Sequence, residues 1–248
     1  GSGGTPGLSS NYTLEGGTHT FNVTKKDITF SGSRVYDGTT TVSSSDLVTN
    51  DTTSGETLAF SGSGTVSLAN VQNNQSITLG SIAIADGSGG GLASNYNLTT
   101  GTFDISQKWV GVSGQKIYDA TTTVSSSDLN VTGEVTGESI SITGTGSVTD
   151  KNVGSGKTIN ISGLSLSDGS HSASNYTIGT TSFAITRRNL SISGEKVYDG
   201  TGTVLASQID TVNTAGGETL TISGEGSVSL PSVGTNKSIT LNTLGISN

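Results

Sequence analysis

The chain has 248 residues, with 37 Gly, 41 Ser and 40 Thr, no Cys, no Met and a formal net charge of −8. That composition excludes a disulfide framework, a thiolate metal site and a cysteine nucleophile. The acidic balance opposes nucleic acid or anionic lipid as a partner, since both need a basic face. No apolar run approaches the roughly 18 residues of a membrane-spanning helix. No basic-then-apolar leader opens the chain, so an export signal is expected outside it.

Hydrophobic residues make up only 30% of the chain, a level that borders on disorder. Pattern rescues it. The apolar residues alternate with Ser and Thr, as in Asp27-Ile28-Thr29-Phe30, Ser139-Ile140-Ser141-Ile142 and Thr219-Leu220-Thr221-Ile222. Alternation rich in β-branched residues predicts half-buried strands, and amphipathic helix stripes are absent. The fold class is all-β, with thin cores and polar outer faces.

In chain order, residues 1–24 read as the terminal strands of a preceding repeat. They carry Ser10-Asn11-Tyr12 and a closing Phe21-Asn22-Val23. Repeat 1, residues 25–106, opens with the Ile28 strand, turns at Tyr36-Asp37-Gly38-Thr39-Thr40 and continues through Ser45-Asp46-Leu47. A strand after Gly55-Glu56 follows, and a hairpin runs from Ser94-Asn95-Tyr96 to Phe103-Asp104-Ile105. Repeat 2, residues 107–186, repeats the order with Trp109-Val110-Gly111-Val112, Tyr118-Asp119-Ala120-Thr121-Thr122, Gly137-Glu138, Ser174-Asn175-Tyr176 and Phe183-Ala184-Ile185. Repeat 3, residues 187–248, carries Tyr198-Asp199-Gly200-Thr201-Gly202 and Gly217-Glu218 but lacks its last strands.

The Tyr-Asp motifs are 82 and 80 residues apart. Seven or eight short strands in about 80 residues predict one Ig-like β-sandwich per repeat. Junctions of one or two residues (Lys25-Lys26, Gln107-Lys108, Arg187-Arg188) predict tandem sandwiches joined into an elongated rod, since flexible linkers are missing. Joining Asn248 to Gly1 restores the Ile84-Ala85-Asp86-Gly87-Ser88-Gly89 pattern, so the three repeats stand in permuted phase. Such a chain is expected either to be cut from a longer array or to pair its ends between copies.

These residues carry a resemblance. Lys196-Val197-Tyr198-Asp199-Gly200-Thr201, with Asp150-Lys151-Asn152-Val153-Gly154-Ser155-Gly156-Lys157 and Ala173-Ser174-Asn175-Tyr176-Thr177, resembles the YDG-type tandem repeat. That repeat is found in filamentous-haemagglutinin-like and other large secreted bacterial adhesins. Departures are Ala120 for the motif glycine in repeat 2 and Gly202 for the second Thr in repeat 3. The resemblance implies an extracellular or bacterial cell-surface exoprotein, often exported by two-partner secretion. It carries over no catalytic residues.

The candidate structural motif comprises Tyr36, Asp37, Gly38, Tyr118, Asp119, Ala120, Tyr198, Asp199 and Gly200, together with Asn11, Tyr12, Asn95, Tyr96, Asn175 and Tyr176. In each Tyr-Asp-Gly turn the Asp accepts backbone hydrogen bonds, Gly or Ala permits the turn, and Tyr packs its ring. Arg34, Lys116 and Lys196 precede the turns and are placed to pair with the Asp. Recurring Asp residues keep calcium as a minor cofactor option, although no clustered Asp-x-Asp-x-Asp-Gly loop is present. His19 and His171 have no counterparts in other repeats and are too few for zinc. Trp109 takes an outward column and is the candidate contact, to a neighbouring repeat or to a sugar or protein. Asn11, Asn97 and Asn175 head Asn-x-Thr sequons and are candidate glycosylation sites.

The reading is a non-enzymatic stalk or spacer whose partners are neighbouring repeats of the same protein. The alternative is a self-assembling filament subunit, in which the strands from Asn11 to Val23 complete the C-terminal repeat of another copy. A second alternative is a module that binds a glycan or matrix protein.

Overall fold

The structure, a computed structural model, describes residues 6–247. Residues 1–5 and 248, and with them the expected join of the two ends, lie outside the described residues. The chain divides into two compact units. One holds the chain up to Arg34 together with Thr39–Ile105, the other Val35–Gly38 together with the chain from Ser106 onward.

The first unit contains β1 (Lys26–Val35, of which Val35 groups with the second unit), β2 (Thr41–Ser43), β3 (Leu47–Thr49), β4 (Leu58–Ser61), β5 (Ser63–Thr65), β6 (Gln72–Ser76), β7 (Ala83–Asp86) and β8 (Tyr96–Ser106). A four-stranded sheet runs in the order β3-β1-β8-β6, and β2-β5 and β4-β7 form two-stranded ladders. Alternation decides which side chains go inward. Ile28 and Phe30 of β1 and Phe103 and Ile105 of β8 are buried, while their Ser, Thr and Asp neighbours are half-buried or exposed. Gly101 of β8 has no side chain because the Phe30 ring occupies the place, 2.3 Å from where a Cβ would stand.

The second unit contains β9 (Lys108–Ile117), β10 (Thr123–Ser125), β11 (Leu129–Thr132), β12 (Ile140–Ser147), β13 (Gly154–Lys157), β14 (Leu164–Asp168) and β15 (Tyr176–Thr186). Here β11-β9-β15-β13 form one sheet and β10-β12-β14 another. β15 lies parallel to β9, from Tyr176 opposite Lys108 to Thr186 opposite Ile117, with a bulge between Ile178 and Thr180. Val112, Val124, Leu129, Val148, Ile159, Leu164, Phe183 and Ile185 form one core, drawing on both sheets. Ser-Asp-Leu and Ser-Asn-Tyr behave alike. Each Ser-Asp or Ser-Asn pair ends a single 3₁₀ turn, and the Leu or Tyr that follows is buried at the start of a strand.

The same unit continues with β16 (Ser191–Gly194), β17 (Thr203–Leu205), β18 (Ile209–Val212), β19 (Thr221–Ser223), β20 (Glu225–Val228), β21 (Ile239–Thr240) and β22 (Gly245–Ser247). These pair as β16-β18, β17-β20-β21 and β19-β22. Among the described residues β16 has a neighbour on one edge only, whereas β1 and β9 are flanked on both. Leu190 and Ile192 are consequently half-buried, where Val110 and Val112 are buried.

The chain is all-β, in several small sheets. One expectation is corrected. Residues 6–24, the described part of the 1–24 segment read from the pattern as terminal strands, hold no strand, and their one helical element is the 3₁₀ turn Ser9–Asn11. Tyr12, Leu14, Phe21 and Val23 are exposed. A strand needs a neighbouring edge for its ladder, and an isolated apolar alternation has none.

Candidate functional site

Each Tyr-Asp-Gly turn is built around a cation. The Lys116 ammonium, on a side chain only 7% exposed, donates to Asp119 Oδ2 at 3.0 Å, Thr121 O at 3.0 Å, Thr121 Oγ1 at 2.9 Å and Thr123 O at 2.6 Å. Asp119 Oδ1 in turn accepts from the Thr121 N–H and hydroxyl, both at 2.9 Å. Lys196, Asp199, Thr201 and Thr203 repeat the set. In repeat 1 Arg34 donates to the carbonyls of Thr39 and Thr41. Partial burial works against the Asp119 charge, but Lys116 and Thr121 outweigh it and hold the carboxyl below its usual range. The Thr201 N–H and then Lys196 hold Asp199 down to about 2. The third motif residue has positive φ in every copy, +79° at Gly38, +64° at Ala120 and +77° at Gly200. This is the left-handed region in which Gly is free of strain, and Ala120 occupies it at a cost.

The turn presents its tyrosine to the next repeat. Tyr36 is 3% exposed, and its hydroxyl donates to Glu138 Oε1 at 2.8 Å. The other oxygen of Glu138 accepts from the Tyr176 hydroxyl, which itself accepts from the Val135 N–H at 3.2 Å. The two rings meet edge to face, 5.5 Å between centroids at 80°, a favoured aromatic geometry. Asn175, 1% exposed, hydrogen-bonds the Tyr36 hydroxyl through its side chain. His171 Nε2 stands 3.9 Å from Glu138 Oε1. Burial first, and then the Glu138 carboxylate, push both the Tyr36 and Tyr176 phenols up to about 12. Such phenols are donors fixed in their neutral form, so the arrangement holds protons in place.

The next copy of the arrangement varies it. The Tyr118 hydroxyl donates to Glu218 Oε1 at 2.6 Å, and Lys151 Nζ reaches the same oxygen at 2.6 Å. Lys151 and then Tyr118 pull the Glu218 carboxyl below its usual range, and Glu218 raises Lys151 in turn. In the first unit the Tyr96 hydroxyl donates to Glu56 and accepts from the Thr53 N–H at 3.1 Å. The Glu of Gly-Glu therefore serves one role at three positions. Sequence reading used Gly-Glu only as a strand marker, although Glu56, Glu138 and Glu218 recur at the same 82- and 80-residue steps as the tyrosines.

The remaining candidates are scattered. Asp37 is exposed and Tyr198 is 62% exposed. Asn11 ends an exposed turn, Asn95 is exposed, and Asn97 is exposed with its amide on Asp27 Oδ1 at 2.9 Å. Asn175, the third glycosylation candidate, is buried, with its side chain on the Tyr36 hydroxyl. Trp109 is 75% exposed, and its side chain lies along Gly179 of its own repeat, beside a hollow that also involves Val35, Gln107 and Thr177. Among the described residues, no three His, Asp or Glu side chains gather into a metal-ligand cluster, and no helix is long and apolar enough to cross a membrane.

A comparison with curated proteins and with solved structures finds no match. The YDG domain family matches three consecutive segments, residues 19–103, 107–183 and 186–248. Each segment contains one cation-centred turn with its tyrosine and one Gly-Glu acceptor, so the chain belongs to the YDG domain family, in three tandem copies.

Proposed function

We propose that the chain is a non-enzymatic spacer segment of a large secreted or surface-displayed bacterial adhesin. Each repeat is an Ig-like β-sandwich strut, and the struts run end to end as a rod. The observation that carries this reading is the buried Tyr36–Glu138 contact, which fastens the turn of one repeat to the next one's Gly-Glu loop. A direct joint of that kind resists bending and twisting, as a spacer under load requires. The Tyr118–Glu218–Lys151 set supplies the same fastening one repeat later.

Small-angle X-ray scattering tests the reading at low concentration. Strands of six to eight residues give three end-to-end repeats a length near 100 Å and a radius of gyration of about 29 Å. A globule of the same length has a radius of gyration of about 18 Å. A value near the larger figure supports the spacer, and one near the smaller overturns it.

A further inference from the structure

Trp109 stands at one end of the outer face of the sheet β11-β9-β15-β13. We propose that this face binds an extended neutral oligosaccharide, one of whose sugar rings stacks on the Trp109 indole. The proposal goes beyond the spacer reading, which asks for no ligand, and does not depend on it.

The strand period sets what the face displays. Val110 and Val112 of β9 are buried, so Trp109, Gly111, Ser113 and Gln115 take the outer side. Across the ladders Thr177 lies opposite Trp109, and Asn130 and Ser182 lie opposite Ser113.

Repeat 1 shows what this face has lost. There the same positions are closed by side chains that bond across it. Asp27 accepts from the Asn97 amide at 2.9 Å, Thr29 donates to Asp51 at 3.0 Å, and Thr99 donates to the Ile28 carbonyl at 2.8 Å. Repeat 2 has Trp109 in place of Asp27, and Gly111, Gly133 and Gly179 in place of Thr29, Asp51 and Thr99. In repeat 3 Asn213 stands where Gly133 does and again bonds across, to the Ser191 N–H at 3.0 Å and the Asn189 carbonyl at 3.2 Å. Gly111 and Gly179 lie inside strands, where glycine costs stability, so the change calls for a reason. Room for the indole supplies it. A Cβ on Gly179 would stand 3.1 Å from Trp109 Cβ and 3.4 Å from its Cγ and Cε3. The indole therefore rests on bare backbone of β15 and stays 75% exposed.

The rest of the face is polar and open. One hollow lies beside Trp109, against Gln107, Lys108 and Thr177, and a second runs along Ser113, Gln115, Asn130 and Ser182. Both belong to the second unit. The Gln107 amide donates to the Ser174 and Tyr176 carbonyls at 3.0 and 3.1 Å, which fixes the side chain and leaves its Oε1 as an acceptor. Among the described residues, the side chains of Ser113, Gln115, Asn130 and Ser182 have no hydrogen-bond partner in the protein.

Chemistry selects the occupant. A sugar ring carries apolar C–H groups on its faces and hydroxyls around its rim. The C–H groups suit the electron-rich face of the indole. The hydroxyls both donate and accept, as the amides and hydroxyls of the second hollow do. A protein partner would need an apolar centre of several large side chains, whereas beside Trp109 only Val35 is exposed. A phosphate-bearing ligand would need a basic cluster, whereas Lys108 in one hollow is balanced by Asp128 in the other. From Trp109 to Gln115 the strand covers about 20 Å at roughly 3.3 Å per residue. That span takes several rings, so the ligand is a chain and not a single sugar.

Trp109 fluorescence reads the test directly, because the chain has no other tryptophan. Cellohexaose and chitohexaose, both extended neutral chains, are titrated into the full chain. The expected result is a saturable blue shift with protection of the indole from acrylamide, and a weaker effect from glucose alone. Calorimetry then compares variants whose circular dichroism matches that of the parent. Trp109→Ala should lower the affinity at least about tenfold. Trp109→Asp, which places the repeat 1 residue there, should do the same. Gln115→Ala/Asn130→Ala should lower it about fivefold or more, the loss of at least one net hydrogen bond. No saturable change with either hexaose into the millimolar range would overturn the proposal and leave Trp109 as a contact for a protein. Binding that Trp109→Ala leaves unchanged would place the site elsewhere. Binding lost with Trp109 but indifferent to Gln115 and Asn130 would reduce the site to the indole. Either of these results also overturns the proposal.

Discussion

Tyr36 and Glu138 are 102 residues apart in sequence, yet the phenol of one donates to the carboxylate of the other at 2.8 Å. The bond is charge-assisted and buried, which places it among the stronger hydrogen bonds in proteins. It also spares the Glu138 carboxylate, whose side chain is 7% exposed, the cost of sitting unpaired.

Tyr36→Phe removes that bond and keeps the ring. A loss of about 1.5–3 kcal/mol in stability is expected, the range for hydrogen bonds to charged groups. Tyr36→Ala also removes the edge-to-face partner of Tyr176 and should cost about 3–5 kcal/mol, as for other buried aromatics. Tyr118→Phe should cost less than Tyr36→Phe, because Lys151 continues to pair with Glu218. Urea unfolding followed by circular dichroism measures all three. An unchanged midpoint for Tyr36→Phe would remove the joint from the list of stabilising contacts.

Lys116 gives a second prediction. Its ammonium satisfies Asp119, Thr121 and Thr123 at once. Lys116→Met should cost about 2–4 kcal/mol, at roughly 1 kcal/mol per hydrogen bond lost. Lys116→Arg should cost less than half of that, because Arg34 already reaches the corresponding carbonyls in repeat 1. Equal losses for Met and Arg would mean that the compact ammonium itself is required and that a guanidinium cannot take its place in this turn.

Much of this was legible in the sequence and some was not, for physical reasons. Alternation at Ile28 and Phe30 decides a strand locally, so the strands could be read. Lys116–Asp119–Thr121 is a local turn within six residues, so its pairing could be anticipated as well. The Glu138 role is non-local. Gly-Glu looks like ordinary turn chemistry until the fold brings Tyr36 and Tyr176 to it, and only its matching period hinted otherwise. Asn175 shows the same limit. It shares its motif with Asn95, yet is enclosed where Asn95 is exposed, because Tyr36 lies against it. Residues 11–23 carry a strand pattern, but pattern alone cannot supply the edge that a strand must join.

The motif glycine makes a third case. Gly38→Ala puts a Cβ at φ +79°, 3.0 Å from Glu138 Oε1 and 3.2 Å from Val135 Cγ1. A loss of about 1–2 kcal/mol is expected from the left-handed backbone, before any displacement of Glu138. Ala120→Gly should be neutral or stabilising by up to about 1 kcal/mol, since relieved strain is offset by a more flexible unfolded chain. Thermal unfolding of both variants checks the contrast. A destabilised Ala120→Gly would show that the Ala120 methyl packs against Gly216 and outweighs the strain.

Alkaline pH should loosen the Tyr36–Glu138–Tyr176 cluster over a defined window. Folding raises both phenols from 10 to about 12, so between those values the unfolded chain has released protons that the folded chain still holds. Stability rises with pH only where the unfolded state binds more protons; here it binds fewer, so stability falls. The contribution is complete below pH 10 and is lost as pH climbs through about 12. Phenolate absorbance should show Tyr36 and Tyr176 titrating late among the six tyrosines, with denaturant resistance declining in step. Tyr36→Phe/Tyr176→Phe should abolish the late phase and flatten the decline. A parent chain whose tyrosines all titrate together near pH 10 would mean that the two phenols are open to solvent and that Glu138 does not hold them.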